Sequence, residues 1–368
     1  MSAPARLRRS AAVALVSAIT AGSALLLTAC DPSADAGSAQ LNSTATPSHQ
    51  ASASASAAAP TGSAPAPSTS ATPGTAASAS PSAAASTPAK SSAKPSAAAL
   101  NLTKGTGLTI SNGTRYVVMD GAVVDFGTVV RDLAWSPDGK HAAFVDGNGN
   151  LQTADPDGSH KTLIAKAPSG VTWSHPTWQV YVPTPDMPYV QAKNNLLFTA
   201  DDHGTLRLLG VPAQAGATPN VLRLNTYSDD DAKPLPQTGN QWPNSGGKYG
   251  SAAYANQEDG QVYLRDDYLR QQGMAVTAGS QPDLSDEGDL VFVRSVGGHD
   301  HLFVKKDGFG GPEQDLTPDA SVDYTEPVFS RDTKTVAFRG PDGIWTVPAT
   351  GGKPVKVSDT VGLPAYRS

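Results

Sequence analysis

Residues 133–151, LAWSPDGKHAAFVDGNGNL, return 194 positions later as residues 327–345, PVFSRDTKTVAFRGPDGIW, without a gap. Trp135 answers to Phe329, Ser136 to Ser330, Asp138 to Asp332, Lys140 to Lys334, Phe144 to Phe338 and Gly149 to Gly343. A unit this short cannot bury its own apolar faces, so copies on either side must cover it. Each copy reads alike: an aromatic closes one strand, a Ser-Pro-Asp-Gly-Lys type of turn follows, and a short apolar strand ends in another aromatic. Asp-Gly and Pro-Asp supply the turns, and the Val, Ala, Phe and Leu runs are strand material. No window sustains a helical period, so the spacing predicts an all-β domain.

The anchor position recurs as Trp135, Trp178, Trp242, the apolar Leu284, Phe329 and Tyr366. The steps are 43, 64, 42, 45 and 37 residues, against roughly 40 to 50 for a four-stranded propeller blade. The long step contains NTYSDDDAKPLPQTGN, polar and broken by prolines, and reads as an inserted loop. Residues 107–127, GLTISNGTRYVVMDGAVVDFG, supply the second to fourth strands of a blade, and VGLPAYRS at the far end supplies a lone first strand. Joined, the two termini make one composite blade beside five whole ones. The expectation is a six-bladed β-propeller of four-stranded antiparallel blades, closed without an open edge.

WSPDGKHAAF, residues 135–144, resembles the repeat of TolB-type propellers, a six-bladed family that mediates protein contacts in bacterial envelopes. The likeness runs over about residues 104–368. TolB proteins carry an N-terminal α/β domain where this chain has a low-complexity stretch, so the resemblance implies the fold and not the Tol-system role.

That stretch, residues 30–100, is almost wholly Ala, Ser, Pro and Thr after Cys30, with Asp31, Asp35, Lys90 and Lys94 its only charges. It buries too little to offset ordering entropy and is expected to be a disordered tether. Before it, Arg6, Arg8 and Arg9 precede an apolar run that ends in Leu27-Thr28-Ala29-Cys30. Residues 1–29 read as an export signal. The tetrad resembles a bacterial lipobox, which implies a lipid on Cys30, the only cysteine of the chain. The expected location is the extracytoplasmic side of the cell membrane. Residues 101–368 form the propeller domain, held by its core without disulfides. The signal carries +3 and the tether balances to zero, so of the net −6 the domain bears −9. That balance excludes nucleic acid as a partner and disfavours anionic lipid surfaces.

For chemistry, the sequence offers no G-x-S-x-G elbow and no framed Ser/His/Asp set. DGNGN at Asp146–Asn150 has calcium-loop spacing, yet Leu151 stands where such a loop needs Gly, so a hairpin turn is the better reading. His299 and His301 share a strand face as two metal ligands would, without a third; exposed polar positions on an outer strand explain them as well. Aligning the blades places Asp132, His175, Gly239, Gln281, Glu326 and Leu363 three positions before each anchor, where they would ring one mouth of the channel. Asp132, His175, Gln281 and Glu326 are thus the candidate residues for a ligand or partner; the plainer reading has them bonding neighbouring blades. The leading expectation is a monomeric, non-enzymatic scaffold without cofactor that binds another envelope protein. The alternative is a small-ligand sensor, or a metal-dependent lyase or lactonase, using the channel.

Overall fold

The structure, a computed structural model, describes Lys94 and residues 99–226, 234–247, 249–267 and 272–368. The expected signal, Cys30 and nearly all of the expected tether lie outside the described residues. Every regular element described is a β-strand, and no described helix is long and apolar enough to cross a membrane.

The strands form six sheets arranged as propeller blades, antiparallel but for one short edge pairing in blade 3. Blades 1 to 5 begin at the axis with Arg131–Trp135, Val171–Tyr181, Asn240–Gly246, Ser280–Leu284 and Thr325–Phe329, and each continues outward in chain order. Blade 6 begins with Leu363–Tyr366, which pairs with Leu108–Ser111 from the other end of the domain; Tyr116–Met119 and Ala122–Asp125 complete it. The composite blade expected from the sequence is therefore present. This blade is tied to blade 1 where Arg367 donates to the Gly139 carbonyl at 2.8 Å and lies over the Trp135 ring at 5.2 Å. Trp135 Nε1 in turn donates to Thr109 Oγ1 at 2.9 Å.

The repeated sentence has a physical reason in both its halves. In the turn after blade 1's first strand, Ser136 Oγ donates to Asp138 Oδ1 at 2.6 Å and accepts from the His141 N–H at 3.0 Å. Ser330, Asp332 and Thr335 repeat that arrangement at 2.7 and 3.0 Å in blade 5. The aromatic that follows is the middle of the core. Phe144, Phe198, Tyr254, Phe292 and Phe338 occupy the same position on five second strands, all at 0% exposure, and an aromatic side chain buries some 150–250 Å².

The insertion before blade 3 is not only loop. Asn225–Thr226 forms a short strand parallel to Gln272–Ala278 and adds a fifth strand to that blade. Residues 227–233 of the insertion lie outside the described residues. A polar, proline-broken sequence gives no apolar alternation, so a two-residue edge pairing through backbone atoms alone leaves no sequence signal.

Candidate functional site

The first strands of the six blades surround a channel that encloses a cavity of about 170 Å³. Five of them carry the same irregularity. Their register slips between Arg131 and Ala134, Ser174 and Thr177, Gln241 and Asn244, Ser280 and Asp283, and Thr325 and Val328. At each slip a non-glycine residue takes the left-handed conformation: Asp132, His175, Trp242, Gln281 and Glu326, with φ between 49° and 53°. Bulges of this kind bend a strand and re-aim one side chain. Here they turn five side chains into the lining of the channel, with Leu363 completing the ring from blade 6.

The ring expected from the sequence is thus present except in blade 3. There Trp242, and not Gly239, holds the position, and Ser245 rather than Trp242 is the anchor, paired opposite Ala252 as Trp135 is opposite Ala142. Gly239 lies in the turn ahead of the strand, its N–H bonded to the Leu206 carbonyl at 3.0 Å. Matching tryptophan to tryptophan displaced that blade by three residues. A better signal was available: His175, Trp242, Gln281, Glu326 and Leu363 are each followed by proline, and only Asp132 is not.

The ring residues bond between blades. Asp132 Oδ2 accepts the His175 N–H at 3.1 Å, and Gln281 Oε1 accepts the Glu326 N–H at 2.6 Å. One step further along, Asp283 Oδ2 accepts the Phe329 N–H at 2.6 Å and Thr177 Oγ1 that of Ser245 at 3.1 Å. A bulge takes backbone donors off their ladder, and buried donors need partners; the preceding blade's side chains provide them.

One contact is of a different kind. His175 belongs to blade 2 and Glu326 to blade 5, on opposite sides of the ring, yet His175 Nε2 lies 3.5 Å from Glu326 Oε1. This ion pair crosses the axis. Trp242 meets the His175 ring edge-on, with centroids 6.1 Å apart. Burial alone would push the His175 pKa down, but the carboxylates of Asp132 and Glu326 outweigh it and hold the imidazolium up to about 9. Nearby, burial pushes the Asp283 carboxyl up to about 6, against the opposing Phe329 N–H and the Arg331 charge. Neither Trp242, Asp283 nor Arg331 was singled out from the sequence as a channel residue, and all three line it.

The two metal-like patterns resolve separately. Asp146 is the first residue of a hairpin turn, and its carboxylate is taken by the Asn148, Asn150 and Gln152 donors. His301 is buried, not exposed, and its ring lies 2.9 Å from Asp315; His299 lies 3.3 Å from Asp323. The two histidines thus engage different carboxylates. Among the described residues no three His, Cys, Asp or Glu side chains come together as a metal site.

No family model matches the sequence, and no curated protein does. Solved structures do match. TolB from Acinetobacter baumannii superposes with a TM-score of 0.52 at 17% identity, over 71% of this chain and 65% of that one. The fold is that of a TolB-like six-bladed propeller. This chain spans just under two thirds of that protein's length. A chain of the nidogen/laminin complex matches with a TM-score of 0.51 at 10% identity, over 71% of this chain and 98% of that one. A gluconolactonase from Xanthomonas campestris matches more distantly, with a TM-score of 0.42 at 13% identity over 64% and 79%.

Proposed function

We propose that the chain is a non-enzymatic scaffold that binds another protein of the cell envelope at the mouth of its channel, held at the extracytoplasmic face of the membrane by a lipid on Cys30. The observation that carries this reading is the mutual pairing of the ring. Asp132 and Gln281 each hold a backbone N–H of the following blade, and His175 faces Glu326 across the axis, as befits a rigid surface more than a catalytic centre whose groups await substrate. The TolB fold, and the likeness to a chain from a complex of two proteins, agree with it. A long Ala/Ser/Pro/Thr tether suits a module that must reach away from its anchor.

Position-specific photo-cross-linking in cells tests the reading. Val322 and Val361 are exposed residues in the connections that lead into the first strands of blades 5 and 6, on the side of the ring residues. Val182 is exposed just after blade 2's first strand, on the opposite side. A discrete protein adduct at Val322 and Val361 that is lost at Val182 is the expected result. Equal labelling at all three positions, or none at the mouth, contradicts the proposal.

A further inference from the structure

Most bonds at the mouth join neighbouring blades through a backbone N–H, and would stay if the His175 side chain moved. The His175–Glu326 contact does not join neighbours. At 3.5 Å it lies at the limit of hydrogen-bond reach, and Nε2 is buried with no hydrogen-bond partner among the described residues. An imidazolium therefore occupies a place defined by two carboxylates from blades 1 and 5 and by the Trp242 ring from blade 3, and fills its hydrogen-bonding capacity poorly.

The surroundings select for positive charge. Asp132 and Glu326 face the site, and Asp283, deeper in the channel, adds a third carboxyl. Gln281 beside them is neutral. The other basic side chain of the lining, Arg331, points its Nη2 toward the Trp135 carbonyl at 3.4 Å, at the far end of the blade 1 strand from Asp132. A cavity of about 170 Å³ fits one side chain, whereas small-molecule and cofactor pockets run to roughly 300–1,000 Å³. An ammonium group has three donors to share between the two carboxylates.

We propose that the channel mouth receives a cationic side chain of the protein partner, an alkylammonium of the lysine type, which displaces His175 from Glu326 and takes its place between Asp132 and Glu326. The inference rests on the scaffold reading and names the group that the partner would insert. His175 is then the internal occupant of a cation site, and the ring's net negative charge steers the partner's cation toward it.

The test uses n-butylammonium as the probe of the site. In the His175→Ala propeller the two carboxylates lose their occupant. The probe should then raise the melting temperature saturably, with a Kd at least about tenfold below that for wild type. n-Butanol and butyrate should have no such effect, and adding Glu326→Gln should remove it. Absence of saturable stabilisation in folded His175→Ala, or equal stabilisation by n-butanol, overturns the proposal. Should His175→Ala not fold, the wild-type protein carries the test through the ring resonances of His175. Their titration midpoint should fall as n-butylammonium is added, and an unmoved midpoint overturns the proposal. The two readings fail separately. Mouth adducts at Val322 and Val361 without probe binding remove the cation and leave the scaffold; probe binding without adducts leaves a cation site but removes the protein partner that would fill it.

Discussion

His175 and Asp283 line the same channel and answer to opposite dominant forces. His175 keeps its proton because two carboxylates outweigh its desolvation; Asp283 holds its proton to higher pH than an ordinary carboxyl because desolvation outweighs an N–H and a guanidinium. Asp283 is therefore a group with a raised folded-state pKa. Its contribution to stability is full below the ordinary carboxylate value of 3.8 and is lost as the pH rises through about 6. Asparagine keeps the acceptor for the Phe329 N–H without the buried charge. Asp283→Asn is expected to stabilise the domain at pH 7, by a few kcal/mol at most since each pKa unit corresponds to about 1.4 kcal/mol, and to leave it little changed at pH 4. Denaturant unfolding at the two pH values checks this; a destabilised variant at pH 7 would show that the carboxylate is held by more than is seen here.

At the scale of the blade, the turn explains why the same words recur. Ser136 is buried and both donates and accepts through one hydroxyl. Ser136→Ala leaves the His141 N–H without that partner, and the expected cost is about 1–2 kcal/mol. It should appear as a lower urea midpoint at unchanged m-value; no shift in midpoint would mean that water replaces the hydroxyl at no cost. These turns and the buried aromatics were legible because they depend on local spacing. The ring residues of blades 1, 2, 4 and 5 were legible for the same reason, lying three before each anchor. Blade 3 was not, because Trp242 and Trp178 look alike in sequence while serving different positions: Trp178 pairs opposite Leu196, and Trp242 turns into the channel. The proline that follows four of the five bulged residues, Trp242 among them, distinguishes it from Trp178, since it marks where the ladder loses a donor. Asn225–Thr226 had no signal at all, as its pairing is made by backbone atoms.

Over the whole molecule, closure is the feature on which the site depends. The first and last strands of the domain share blade 6, and Arg367 ties that blade to blade 1. Only a closed ring of six sets blade 2 opposite blade 5, and so brings His175 to Glu326 from 151 positions away. No local pattern in the sequence could announce that contact, because it is a property of the blade count. Coupling between these two residues thus tests fold and site together. The measurement to make is the titration of the His175 ring by NMR, in wild type and in Glu326→Gln. The account predicts a midpoint near 9 in wild type and a clearly lower one in the variant, with the other histidines unmoved. A wild-type midpoint near the ordinary 6.5, or one indifferent to Glu326, would contradict it.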